Sequence, residues 1–140
     1  MRILSVSAVL FLMILLSSFH FMRQGGLKET LERGQKVYAA TCIACHQADG
    51  NGSPPMNPPL VKTQWVLGDK KALIKIVLKG LKGGEIEIDG DSFYNPMPPL
   101  ESILNDQQIA DALTYVRKSF GNNASIVSPA EVKAVRATIK

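Results

Sequence analysis

Two cysteines three residues apart, followed at once by a histidine, constrain this chain more than anything else in it: Cys42-Ile43-Ala44-Cys45-His46. On a helical turn both thiols fall on one side, with the imidazole next to them. C-x-x-C-H is the attachment pattern of a c-type haem. The two thiols bond to the two vinyl edges of one porphyrin, and the imidazole binds its iron from one face. Rival readings fail on inventory. A structural zinc site takes four ligands, and the chain holds only two Cys and two His, the other being His20 in an apolar N-terminal run. A thioredoxin-like pair would follow a strand in a βαβ pattern, whereas a helical pattern leads into this motif.

The length of 140 residues fits one domain. With five Phe, three Tyr and one Trp against 11 Gly, the side chains supply only a modest core. Small domains need a staple, and a buried, covalently held porphyrin supplies one. Both cysteines are used as thioethers on this reading, so no disulfide is expected. The net charge of +4 comes from 16 Lys+Arg against 12 Asp+Glu. Setting aside Arg2 and Arg23, which flank the leading apolar segment, leaves 14 against 12. That balance gives no nucleic-acid footprint.

Met1-Arg2 opens an apolar run from Ile3 to about Met22, densest at Val9–Leu16. A charged start followed by such a run marks export. Residues 3–22 are long enough to span a bilayer, while Val9–Leu16 followed by Ser17-Ser18 resembles a signal-peptide core. No small-x-small cleavage site follows, which favours an uncleaved anchor over a removed signal and leaves both open. His20 reads as an interfacial residue. Residues 1–22 are therefore signal or anchor, and 23–26 (Arg23-Gln24-Gly25-Gly26) a flexible linker.

A first helix is expected from Leu27 or Lys28 to about Thr41. Leu27, Leu31, Gly34, Tyr38 and Cys42 form one stripe ending on the first haem cysteine. Gly34 in mid-helix costs about 1 kcal/mol against Ala, so another helix is expected to cross there. A partner lies downstream. Asn105 and Gln108 form a capping-box pattern, Ile109, Ala112, Leu113, Val116 and Phe120 keep helical spacing, and Gly121 closes the helix. Ala112 and Tyr115 suit a tight crossing against Gly34 and Tyr38.

With the haem motif and these two helices, residues 27–121 resemble a class I c-type cytochrome. The resemblance implies a mostly α fold, with crossed N- and C-terminal helices packed around one haem c held by Cys42 and Cys45. It also implies roles in the proline-rich loop Pro54–Leu60. In this family a proline carbonyl of a P-x-L stretch accepts the ring N–H of the iron-bound histidine, and Pro58-Pro59-Leu60 is similar. That assigns the carbonyl to Pro58 and haem packing to Leu60, the alternative being a plain proline-stiffened loop. Trp65, the only tryptophan, is placed either to reach a haem propionate or as simple core.

Asp69 is expected to cap a helix over Lys70–Leu81. Leu73, Ile74, Ile76, Val77, Leu78 and Leu81 fall on one side, and Lys71, Lys75, Lys79 and Lys82 on the other. The lysines are a solvated face or a guide for an acidic redox partner. Glu85–Ile88 alternates, and Asp89-Gly90 suits a tight turn to Phe93, so a small hairpin is expected.

The second axial position decides between carrier and catalyst. Met56 is ten residues past His46, on a loop expected to pass the histidine side. Met97, in Tyr94-Asn95-Pro96-Met97-Pro98-Pro99-Leu100, has prolines on both sides to stiffen its backbone. That stretch resembles the family's Y-N-x-M-P, which makes Met97 the expected ligand and a buried core methionine the alternative. A His46/Met97 pair fills both axial sites and favours electron transfer; without Met97 the chain would be a five-coordinate haem enzyme or gas sensor. Gly80–Gly83 through Met97-Pro98-Pro99 is similar to cytochrome domains serving periplasmic quinoprotein dehydrogenases or terminal oxidases, which implies redox protein partners outside the cytoplasm. Residues 122–140 run past the usual family end. Asn122–Val127 is linker-like, and Ser128-Pro129-Ala130-Glu131 opens a short helix to about Thr138.

Overall fold

A computed structural model describes residues 26–82, 86–88 and 90–139 of the chain. The expected export segment and most of the linker therefore lie outside the described residues, as do Gly83, Glu85 and Asp89. No helix among the described residues is long and apolar enough to cross a membrane. Two compact units appear, Met1–Thr30 and Leu31–Lys140. In the first, residues 26–30 are helical and Thr30 Oγ1 donates to the Gly26 carbonyl at 2.8 Å. The second, Leu31–Lys140, holds the C-x-x-C-H motif.

Its helices are α1 (31–41), α2 (Ile43–His46), α3 (Gln64–Leu67), α4 (Lys70–Lys79), α5 (Asp106–Lys118) and α6 (Pro129–Thr138). One antiparallel hairpin joins β1 (Ile86–Ile88) to β2 (Asp91–Phe93), in register Ile86 to Phe93 and Ile88 to Asp91. Gly90 takes φ +91° in its turn, a conformation that favours glycine. The helix starts follow the capping chemistry. Asp69 accepts from the Lys71 amide at 2.9 Å, and both Asn105/Gln108 and Ser128/Glu131 close reciprocal capping boxes. Helix α3 is an addition to the expected elements; Thr63 caps it through the Val66 amide. Helix α4 stops at Lys79, two residues early, because Gly80 turns the chain at φ +69°.

Helix α1 packs on α5 as expected, with one change of partner. A Cβ on Gly34 would sit 2.7 Å from both the Asp111 carbonyl carbon and Tyr115 Cβ, so only glycine allows this approach. The neighbour is Asp111 rather than Ala112, and Arg33 Nε meets its carboxylate at 2.7 Å. One turn on, the Tyr38 and Tyr115 rings lie 5.5 Å apart, with Phe120 completing an aromatic triad. The larger core joins α4, α5 and α6 through Leu73, Ile74, Leu78, Ile109, Leu113 and Val132.

The residues past Gly121 are built into this core. Asn122 is buried and donates to the Leu60 and Val116 carbonyls at 2.9 and 2.8 Å. Thr114 and Val127 exchange hydrogen bonds, and Arg117 Nε reaches the Ser125 carbonyl at 2.8 Å. The linker-like composition of 122–127 thus conceals a tethered segment: Asn122 and Val127 are buried and bonded to α5, and the Ser125 carbonyl accepts from Arg117, while the Asn123 and Ser125 side chains stay exposed. Val132 and Val135 are buried, each worth about 1.5–3 kcal/mol as an upper figure. Arg136 fixes the far end, to Asp106 Oδ1 at 2.7 Å and to the Glu101 and Leu104 carbonyls at 2.6 and 2.9 Å.

Candidate functional site

The haem motif continues the line of α1. The Cys42 amide donates to the Tyr38 carbonyl at 2.8 Å and the His46 amide to the Cys42 carbonyl at 2.9 Å, so the motif keeps helical hydrogen bonding across a one-residue break. Gln47, at φ +63°, ends the turn. Its carbonyl accepts from the Tyr38 hydroxyl at 2.6 Å. Cys42 is half-buried, Cys45 exposed, and the two thiols are unbridged. Burial pushes the Cys42 thiol upward, against a lowering contact from Thr41.

His46 Nδ1 stands 3.0 Å from the Pro58 carbonyl oxygen. A carbonyl can only accept, so Nδ1 carries the hydrogen and Nε2 keeps the free lone pair. That is the tautomer a metal-binding imidazole needs. Burial depresses the imidazole's pKa, opposed by the Pro58 bond, and a neutral ring is again the ligand form. Gly52 makes this possible. At φ +66° it passes under Pro58, and a Cβ there would lie 2.7 Å from the Pro58 carbonyl carbon.

Met97 lines the same cleft, held by its backbone. Its amide donates to the Leu81 carbonyl at 3.1 Å and its carbonyl accepts from the Leu81 amide at 2.9 Å, an isolated antiparallel bridge. Gly80 lies against the next two residues, where a Cβ would come within 2.9 Å of the Pro98 carbonyl carbon and 2.8 Å of the Pro99 nitrogen. Met97 packs partly buried against the larger core. Met56 is exposed and does not line the cleft.

Cys42, Cys45, His46, Pro58, Leu60, Trp65 and Met97 all line one cleft. Its remaining walls are mostly aliphatic, from α4, α5 and β1, with Thr41, Asn57, Thr63 and Asn95 as polar members, and no Asp, Glu, Lys or Arg lines it among the described residues. Such an uncharged, mostly apolar lining suits a large flat apolar group. Two thiols, an oriented imidazole and a methionine among the lining residues are of the types that fit a haem. Leu60 also packs on the Tyr38/Val66 cluster, and Trp65 keeps its indole partly exposed.

Sequence reading missed several contributors. The spacing pattern gives no structural reason for Gly52 or Gly80, since their need arises from backbone 5 and 6 residues away at Gly52 and 17 to 19 away at Gly80. Asn57 and Asn95 line the cleft and bond to each other at 3.1 Å across 38 residues. Arg117, almost wholly buried, donates to the Val66 and Gly68 carbonyls and so fixes the helix that carries Trp65. Burial lowers its pKa from the ordinary arginine value.

The sequence model for cytochrome c matches residues 31–120. The chain is 33% identical over 126 residues to a cytochrome c-552 of Thermus thermophilus, covering 84% of this chain and 83% of that protein. It is 34% identical over 107 residues to the cytochrome c subunit of alcohol dehydrogenase (quinone) from Gluconobacter oxydans, and 34% over 108 residues to the gluconate 2-dehydrogenase cytochrome c subunit of Pantoea cypripedii. These matches cover 75% of this chain but only 22% and 24% of those two subunits. With its helices, its C-x-x-C-H turn and its apolar cleft, this chain belongs to the cytochrome c family, and that membership implies a covalently bound haem c at Cys42 and Cys45.

Proposed function

We propose that this protein is an exported single-electron carrier, in which one haem c is bonded through Cys42 and Cys45 and its iron is ligated by His46 and Met97. The observation that carries the reading is the convergence of Met97 and a correctly tautomerised His46 on one uncharged cleft. When bound, the haem supplies reversible one-electron chemistry at its iron. The chain's own residues set the conditions. Pro58 holds the imidazole's orientation and raises its basicity through Nδ1. Met97 fills the position a small molecule would otherwise take, and a thioether there raises the potential. Leu60 and the aliphatic walls keep water out, and Trp65 offers its indole N–H to a propionate.

Partners follow from the same reading. Relatives include cytochrome subunits of quinone-linked alcohol dehydrogenase and of gluconate and fructose dehydrogenases, which supports redox proteins outside the cytoplasm, a dehydrogenase or an oxidase, as donor and acceptor. Residues 1–22 serve export, as a removed signal or a membrane anchor. The exposed lysines 71, 75, 79 and 82 steer an acidic partner.

Met97→Ala in the haem-loaded protein is the decisive experiment. The expected outcome is loss of the sulfur-to-ferric-iron absorption band, a lower potential and prompt carbon monoxide binding by the reduced protein. An unchanged spectrum removes Met97 from the site. Prompt, tight carbon monoxide binding by the unaltered protein would favour the five-coordinate alternative.

A further inference from the structure

Two asparagines stand out in a mostly apolar lining, because an amide in such a wall is costly unless its hydrogen bonds are met. Asn57 immediately precedes Pro58, the acceptor for His46. Asn95 lies two residues before Met97. Asn95 Nδ2 donates to Asn57 Oδ1 at 3.1 Å, Asn57 Nδ2 donates to Ser53 Oγ at 2.8 Å, and the Asn95 amide donates to the Met56 carbonyl at 3.1 Å. Two loops 38 residues apart in sequence are thereby joined side by side in the lining of the cleft.

The joint is stiff on both sides. Asn57 is pinned to its own loop twice more, its amide donating to the Ser53 carbonyl at 3.1 Å and its carbonyl accepting from the Ser53 amide at 2.9 Å. Between Asn95 and Met97 stands only Pro96, whose φ is locked. Beyond Asn95, Met97 is fastened again at Leu81. The segment from Asn95 to Met97 is thus anchored at both ends, and losing the Asn95–Asn57 side-chain bond leaves its near end held only by the Asn95 amide on the Met56 carbonyl.

We infer that Asn57 and Asn95 are positioning residues, a latch between two loops lining the cleft that keeps the Met97 loop closed against the His46 loop. The inference extends the proposed ligation by Met97 and depends on it for its spectroscopic consequence, though not for its mechanical one. The latch makes the sulfur–iron contact persist under conditions that leave the helices intact.

Asn57→Ala, Asn95→Ala and the double variant, all haem-loaded, test it with two readouts. The first is backbone amide exchange at Asn95 and Met97. Asn57→Ala is expected to speed exchange on the opposite loop about tenfold, the effect of one net hydrogen bond lost, with the double variant no faster than either single one. The second is the denaturant midpoint for loss of the sulfur-to-iron band, compared with that for helix content. The band should fail earlier in each variant while helix content moves little. Unchanged exchange at Asn95 and Met97, or additive effects in the double variant, would overturn the latch. If the unaltered protein shows no sulfur band, ligation by Met97 is what fails, and the exchange measurement still decides the latch.

Discussion

On the histidine side of the cleft, the groups that orient His46 directly lie within twelve residues of it: the motif turn, Gln47, Gly52 and Pro58. On the methionine side nothing comparable is near in sequence. Met97 is fastened to Leu81, pressed by Gly80, tied through Asn95 to Asn57, and followed by a turn whose Glu101 and Leu104 carbonyls are gripped by Arg136. Short loops close at small entropic cost, so the histidine wall depends mainly on its own stretch of chain. The methionine wall depends on four segments meeting and is expected to open first when the fold is stressed.

The largest test of that asymmetry sets one glycine against the other. Gly80→Ala and Gly52→Ala each force a Cβ into neighbouring backbone at positive φ. Strain and overpacking together cost about 3 kcal/mol in either case. Their spectroscopic consequences should be opposite. Gly80→Ala displaces the backbone beside Met97, so the sulfur-to-iron band weakens and the potential falls. Gly52→Ala pushes the Pro58 carbonyl off His46 Nδ1, so the imidazole becomes a poorer donor and the potential rises with the band retained. Potentiometry with absorption spectra of both variants checks the pair, and shifts of the same sign would dissolve the distinction between the walls.

The same asymmetry decides what could be read from sequence. Cys42, Cys45, His46, Gly34 and both capping boxes rest on spacings of a few residues, which helical periodicity exposes directly. Met97 is a candidate only through its flanking prolines and its likeness to Y-N-x-M-P. Its fastenings are not legible, because an Asn95–Asn57 bond or a bridge to Leu81 has no local pattern. The segment 122–127 misled for a related reason. Its composition is that of a loop, and only the tertiary partners of Asn122, Ser125 and Val127 reveal that it is tied down.

Arg136→Ala probes the most distant of the methionine-side supports. It removes the donors to the Glu101 and Leu104 carbonyls and the ion pair with Asp106. The expected loss is about 1.5 kcal/mol, in the range for hydrogen bonds to a charged group, and is smaller than that of either glycine variant. Followed by denaturant titration, the sulfur band should disappear at lower denaturant than in the unaltered protein. Its midpoint should also fall further than that of helix content. Equal shifts in both midpoints would mean that α6 stabilises the domain evenly and is no specific support for the Met97 loop.

The smallest effect lies at the opposite end of α6. Glu131 pairs with Lys70 and accepts from the Ser128 amide at 2.8 Å, contacts that hold its carboxyl below the usual glutamate range. A folded-state pKa below the unfolded value gives stability that is complete above the ordinary value near about 4.3. It is lost as pH falls through the depressed folded value. The carboxylate is more than a third exposed, so water and salt screen the pair and Glu131→Gln should cost less than about 1 kcal/mol at neutral pH. Denaturant midpoints of the two proteins should differ at pH 7, less so in high salt, and converge in acid once Glu131 is protonated. Neither the band nor the potential should respond, because Glu131 fastens α6 to α4 and touches neither wall of the cleft. A band that weakened with Glu131→Gln would mean that α6 transmits strain along its whole length to Arg136, and the methionine wall would then extend to the Lys70 end of α4.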